Sequence, residues 1–207
     1  RLLRLLAETQ IPKVFLDTSS LVAPDELNGD LLLMESRTSV RRITSHLLEQ
    51  GRTLPGFIGD ISYAQSNRER YEGFCQALTD AGKKVDSSLC LTTPLGIDTY
   101  REEIDTFLSS LSRMPDAFVC ASDYVACILM QLLEKRGLRV PEDVAVSGFD
   151  NNTEDLLAEH LTTVQVFNEE LGARLALQIL YRIKYPNTPH EITYLGTNVL
   201  YRDSTGD

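Results

Sequence analysis

The chain has 207 residues, 43% of them hydrophobic and 24% charged, a balance that excludes intrinsic disorder and leaves room for one large domain or two small lobes. Thirty acidic residues against twenty basic give a formal net charge of -10, so repulsion from phosphate backbones argues against this chain gripping DNA or RNA by itself. No apolar run approaches the roughly 20 residues that span a bilayer, and no basic start leads through an apolar stretch to a small-residue cleavage site.

Short apolar runs alternate with segments of helical periodicity, the pattern of a parallel sheet flanked by helices. Arg1 to Leu6 reads as helix interior, so the chain is expected to open inside an element. Val14-Phe15-Leu16 is a buried strand ending at Asp17, and a polar loop with Pro24 and Gly29 leads to a second run, Leu31 to Met34. After Val40, the residues Ile43, Leu47 and Leu48 recur at helical spacing, with Gly51 placed to end the helix in the left-handed conformation. Gly56-Phe57-Ile58-Gly59 is the next strand, and Tyr71, Phe74, Cys75 and Leu78 mark a helix closing at Gly82. Ser88 to Leu91 is strand-like, Tyr100 to Leu111 amphipathic and helical, and Ala117 to Cys120 a strand. Ile128, Leu129, Leu132 and Leu133 carry a helix to Gly137, and Val144-Ala145-Val146 runs as a strand into Gly148-Phe149-Asp150. Leu161 to Val166 is extended, Asn168 is the expected N-cap of a helix through Tyr181, and Ile192 to Tyr201 is a closing strand rich in β-branched and aromatic residues. The fold class is α/β.

Cys75, Cys90, Cys120 and Cys127 lie in apolar stretches without a C-x-x-C pair, which reads as buried free thiols in a reducing compartment. His46, His160 and His190 are far apart and show no ligand spacing with Cys or Asp, so neither a metal nor another cofactor is expected.

Ligands of open α/β sheets bind beyond the carboxyl ends of the strands. The residues at those ends are Asp17, Asp60, Thr92, Thr93, Ser122, Asp123, Asp150 and Asn151, with Arg68 and Arg70 the nearest cations. Carboxylates accept from adjacent hydroxyls and a guanidinium fork donates to several oxygens, so this set suits a polyhydroxylated ligand. Plainer readings stand beside it: Asp123 as a helix cap, Asp150 holding a turn with Asn151, Asn152 and Thr153, and Arg68 pairing with Glu72 one turn on. Glu102 and Glu103 fit the first turn of a helix better than a catalytic dyad. There is no G-x-x-x-x-G-K-[ST] loop and no G-x-G-x-x-G after a strand, and A-V-S-G-F around Ser147 lacks the first glycine of a nucleophile elbow. Nothing recommends an enzyme.

Residues 116–150, D-A-F-V-C-A-S-D-Y-V-A-C-I-L-M-Q-L-L-E-K-R-G-L-R-V-P-E-D-V-A-V-S-G-F-D, resemble the effector domain of the LacI/GalR family of bacterial transcription regulators. G-F-I-G-D from Gly56, R-E-R-Y-E-G-F-C-Q-A-L ending at Leu78, L-T-T-V at Leu161 and V-L-Y-R-D-S-T at Val199 extend the resemblance in order along essentially the whole chain. It implies two Rossmann-like lobes with parallel sheets, of the periplasmic-binding-protein type, joined by crossover strands around a cleft for a sugar or other small effector. It also implies a cytoplasmic homodimer whose effector alters the spacing of two helix-turn-helix headpieces on operator DNA, with no membrane partner and no catalysis.

Carried over by position, the resemblance makes Asp17, Ser66, Arg70, Ser122 and Asp150 effector-binding residues. Ser122 stands where many members have Asn, and Val166 and Asn168 where polar and aromatic residues often line the cleft. Relative to the family, the chain lacks the headpiece, its hinge and the opening strand-helix units of the first lobe. Residues 1–34 plus 167–189 are then a partial N-terminal lobe, and 35–166 plus 190–207 the C-terminal lobe. An extracytoplasmic sugar-binding protein of a transport system is the alternative, since it shares the two-lobe fold.

Overall fold

Successive residues of a strand face opposite sides of its sheet, and in β3 (Pro55–Ile58) and β5 (Ala117–Cys120) both sides are buried. This is the signature of a parallel sheet covered by helices on each face. The computed structural model describes residues 5, 6, 8–96, 98–152 and 159–207. Its larger sheet is parallel, with β3 and β5 at the centre, β4 (Cys90–Leu91) beside β3 and β6 (Ala145–Ser147) beside β5. Phe57 and Val119, paired in register, join the core under α1 (Arg37–Glu49) and α2 (Gln65–Asp80), which contribute Val40, Ile43, Leu47, Phe74 and Leu78. Ile58, Phe118 and Cys120 join the opposite core, with Ile104 and Leu108 of α3 (Tyr100–Ser110) and Val125, Leu129 and Leu133 of α4 (Asp123–Lys135). Phe57, Phe74 and Phe118 are fully buried, each stabilising the fold by roughly 1.5–3 kcal/mol. A Cβ at Gly73 would lie 2.2 Å from the Arg37 carbonyl oxygen. Only glycine lets α1 and α2 approach this closely.

The smaller sheet is also parallel, in the order β1 (Val14–Leu16), β2 (Asp30–Met34), β8 (Ile192–Leu195). Among the described residues its far face buries Leu27, Leu31 and Leu33, with Phe15 and Val22 packed against them. A two-stranded antiparallel ribbon, β7 (Thr163–Gln165) with β9 (Asn198–Leu200), lies beside the larger sheet through a bridge from Ser147 to Thr162. The chain passes between the two sheet systems after β2, between β7 and α5 (Asn168–Lys184), and between β8 and β9. Glu35 ties two of these passages together. Its N–H donates to the Leu195 carbonyl at 2.7 Å, its own carbonyl accepts from the Thr197 hydroxyl at 2.8 Å, and its carboxylate accepts from the Thr38 and Ser39 N–H groups that open α1.

Charge is buried beneath the smaller sheet. Asp30 and Arg182 are 1% and 3% exposed and form a salt bridge. Arg182 Nε donates to Asp30 at 3.0 Å, and its remaining N–H groups reach Asp30 and the carbonyls of Thr188 and Pro189. Asp30 also accepts from Gln178 at 2.8 Å and from the Glu191 N–H at 2.9 Å. Desolvation raises the Asp30 pKa, but these donors outweigh it and hold the carboxyl below its usual range. One carboxylate therefore ties β2, α5 and the approach to β8.

Several elements differ from their expected form. The closing strand predicted over Ile192 to Tyr201 is two strands, because the chain turns at Gly196 and Thr197, whose hydroxyl is taken by Glu35 and Ser39. β8 therefore pairs with β2 in the smaller sheet, whereas the expected division grouped residues 190–207 with the larger one. Ser88 and Leu89 form a 3₁₀ turn because Asp86 accepts from the Ser88 N–H, and only Cys90–Leu91 is strand. Asn168 is the first residue of α5 rather than its cap, which is Phe167. Of the expected opening helix, Leu5 and Leu6 are helical and residues 1–4 lie outside the described residues. Cys75, Cys90 and Cys120 are free thiols.

Replacing Arg182 with Met leaves a buried carboxylate without its cation and is expected to destabilise the fold by about 3–5 kcal/mol. Denaturant unfolding checks this, with Asp30→Asn combined with Arg182→Met recovering part of the loss; an Arg182→Met chain of wild-type stability would show that the pair is not a clamp.

Candidate functional site

The carboxyl ends of both sheets open on one region, and two strand-end residues there have backbones that side chains rarely adopt. Asp17, directly after β1, has φ 59°, and Asp150, just beyond β6, has φ 112°. Such conformations cost about 1–3 kcal/mol each and persist where the surroundings impose them. The Asp17 carboxylate accepts from the Ser66 hydroxyl at 2.5 Å and from its own neighbour, the Thr18 N–H, at 2.7 Å. The Gln65 N–H donates to the Thr18 carbonyl at 2.7 Å. Thus the end of β1 holds the N-terminus of α2 across the gap between the sheets.

Arg70, one turn into α2, is 4% exposed. Its guanidinium donates to the Ala121 carbonyl beyond β5, approaches Asp150 Oδ1 at 3.5 Å and Met34 Sδ at 3.6 Å, and stacks over Phe149 at 3.6 Å from the ring centroid. Contact with the flat face of an aromatic ring adds cation–π attraction to this packing. Desolvation lowers the Arg70 pKa, while Asp150, Asp17, Asp123 and Glu69 oppose the shift. Asp150 keeps 43% of its side chain exposed; desolvation raises its pKa and Arg70 partly offsets that. Arg70 Nε and Thr18 Oγ1 are buried without a hydrogen-bond partner.

Glu69, 4% exposed, accepts from the Tyr194 hydroxyl of β8 at 2.8 Å, a second tie from α2 to the smaller sheet. Burial and this carboxylate push the Tyr194 phenol up to about 12. On the far side of the region Ser122 is the N-cap of α4, its hydroxyl accepting from the Val125 N–H at 3.3 Å. Asp123 is not the cap. It is 2% exposed and accepts from the Thr163 hydroxyl at 2.6 Å and the Asn152 N–H at 2.8 Å. A Cβ at Gly148 would lie 2.2 Å from this carboxylate, which explains the glycine before Phe149 and Asp150.

Of the residues singled out in the sequence, Asp17, Ser66, Arg70 and Asp150 therefore form one connected group, while the Ser122 hydroxyl bonds to its own helix. Asp60 is occupied with the turn at Ser62 and Tyr63. Arg68 does not pair with Glu72, because Arg37 holds that carboxylate and Arg68 reaches toward Ser20 at 3.4 Å. Asp150 faces Arg70 instead of closing a turn, and Thr153 lies outside the described residues. Sequence reading missed Thr18, Glu69 and Phe149. Glu69 looks like a solvated helix position between two arginines, and no local pattern marks Thr18. Phe149 sits inside the G-F-D motif and could have been inferred from it. Among the described residues no cluster of three or more His, Cys, Asp or Glu could hold a metal ion, and no helix is long and apolar enough to cross a membrane.

Comparison with known proteins shows the family and the fold. The model of the family described as periplasmic binding protein-like domain matches residues 44–205. The chain is 31% identical over 170 residues to the HTH-type transcriptional regulator DegA of Bacillus subtilis (strain 168), covering 81% of this chain and 48% of DegA. It is 30% identical over 190 residues to the HTH-type transcriptional repressor PurR of Actinobacillus pleuropneumoniae serotype 3 (strain JL03), covering 91% and 55% of the two chains. It thus spans about half the length of these curated relatives. Among solved structures, the transcriptional regulator CelR–cellobiose complex superimposes with a TM-score of 0.81 at 28% identity, covering 92% of this chain and 58% of that one.

Burial raises the Asp123 pKa to about 6, with the Thr163 and Asn152 bonds opposing it. The ordinary value is about 3.9, so the stability that goes with the neutral form is full below that value and is lost as pH rises through about 6. A carboxyl carbon NMR titration of Asp123 is expected to show a midpoint about 2 units above an exposed Asp, moving higher still in Thr163→Val. An ordinary midpoint would show that Asp123 is solvated.

Proposed function

We propose that this chain, which belongs to the periplasmic binding protein-like domain family and carries the effector-binding fold of LacI/GalR transcription regulators, binds a small polyhydroxylated effector between its two sheet systems. Occupancy is passed to a DNA-binding headpiece of the same regulator, acting as a homodimer in the cytoplasm, and the chain catalyses no reaction. In this reading residues 1–34 and 167–189 belong to one lobe together with β8, and the remainder of 35–207 to the other. Repression is the expected sense of regulation, by likeness to the PurR repressors.

The observation that carries the reading is Arg70. A buried guanidinium joins the ends of β2, β5 and β6, stands over Phe149 and faces Asp17 and Asp150 from opposite sheets. Asp150 has acceptor capacity left and an exposed edge, and the Arg70 Nε and Thr18 hydroxyl have unused donors. This is the hydrogen-bonding complement of a polyol. The CelR complex, whose described ligand is cellobiose, supports a sugar. DegA and PurR are HTH-type regulators, which supports this reading over the transport-protein alternative.

Asp150→Ala and Arg70→Ala are each expected to weaken effector binding by about 1–3 kcal/mol, since each leaves a buried polar partner unpaired. Calorimetry of the wild type against sugars, sugar derivatives and nucleobases identifies the ligand, and titration of both variants with it checks the site. Unchanged affinity in both would place the ligand elsewhere.

A further inference from the structure

We propose that the cleft takes a neutral or cationic polyol and rejects anionic ones such as sugar phosphates and uronates. The inference rests on the effector-binding reading above and narrows its ligand class. Four carboxylates, those of Asp17, Glu69, Asp123 and Asp150, face the guanidinium of Arg70. The neighbouring cations do not restore balance. Arg68 extends toward Ser20 and Arg37 pairs with Glu72. Arg202, which also faces Asp123, hydrogen-bonds to Asn151 and the Leu161 carbonyl. Counting Arg202 as well as Arg70 still leaves an excess of two negative charges among the described residues, and of one when Arg68 beside Ser20 is included.

The helix N-termini point the same way. An exposed helix N-terminus beyond a parallel strand is the usual seat of a phosphate, because free N–H groups and the dipole both favour an anion. Here α2 and α4 meet their own anions first. At α2 the Ser66 N–H and hydroxyl donate to the Asp17 carboxylate and the Gln65 N–H to the Thr18 carbonyl. At α4 the Val125 N–H is capped by Ser122, and the Asp123 carboxylate lies in the first turn. A phosphate would have to displace Asp17 or approach within reach of Asp123 and Asp150.

Groups without partners identify what is accepted instead. Thr18 is 7% exposed and Arg70 4%, and Thr18 Oγ1 and Arg70 Nε lack hydrogen-bond partners. Both atoms are buried, so a ligand reaches them only as the site opens, and a hydroxyl and a single N–H then match a ligand hydroxyl or ring oxygen. The Asp150 carboxylate contacts Arg70 at 3.5 Å, longer than a good charge-assisted bond, and is left to accept from ligand hydroxyls or an ammonium.

Calorimetry and thermal shift on this chain would compare matched series, each sugar as neutral parent, amino sugar, phosphate ester and uronate, at low and high salt. The expected result is tight binding of one neutral parent, equal or tighter binding of its amino form, and at least tenfold weaker binding of its phosphate and uronate. Raising the salt is expected to weaken the amino form and strengthen the phosphate, because screening removes attraction and repulsion alike. Asp150→Asn separates charge from bulk, narrowing the neutral-to-phosphate ratio severalfold. A phosphate or uronate that binds as tightly as its parent, or a ratio insensitive to both salt and Asp150→Asn, overturns the charge preference while leaving an effector site intact. No binding by any member, whatever its charge, overturns the effector reading and this inference with it.

Discussion

A guanidinium that is 4% exposed has to be hydrogen-bonded and balanced in charge where it sits, and Arg70 imposes that requirement on the carboxyl ends of strands in both sheets. The ends of β2, β5 and β6 each supply one contact, from Met34, Ala121 and Asp150. Phe149 closes the face that water would otherwise reach. Neighbouring choices follow from this constraint. Asp150 adopts a backbone conformation costly for a side chain and so meets Arg70. Gly148 leaves room for Asp123, whose charge also acts on Arg70.

The two sheet systems share an apolar core, in which Leu32 and Leu171 join Val40, Ile43 and Phe74, and they are also tied by polar contacts. Asp17 with Ser66 and Glu69 with Tyr194 link α2 to the ends of β1 and β8, and Glu35 links the passages after β2 and β8. The smaller sheet is tied internally by the buried Asp30–Arg182 pair. Under the proposed function, such polar contacts suit a protein whose lobes rearrange, because they are directional and can exchange for bonds to a ligand.

Local patterns made most elements legible. β5 and the helices over Tyr71–Leu78 and Ile128–Leu133 follow from apolar periodicity, and Gly51, Gly82 and Gly137 end helices with positive φ, as their placement indicated, whereas β1 has its expected bounds but is not buried, Leu16 lying exposed. The errors fell where partners distant in sequence decide. Whether residues 192–201 form one strand or two depends on Glu35 and Ser39, some 160 residues earlier. Whether Arg68 meets Glu72 depends on Arg37 across the helix pair.

Residue order alone established the α/β class, the family resemblance and the candidate set Asp17, Ser66, Arg70, Ser122 and Asp150, because strand ends and motifs are local. Tertiary structure alone decided which candidates meet. It occupied Ser122 with a helix cap, buried Asp123, and brought Thr18 and Glu69 into the group without any sequence signal. The physical reason is that desolvation and charge balance belong to a volume of space. Residues from four strand ends and two helices fill that volume here, and no stretch of chain contains it.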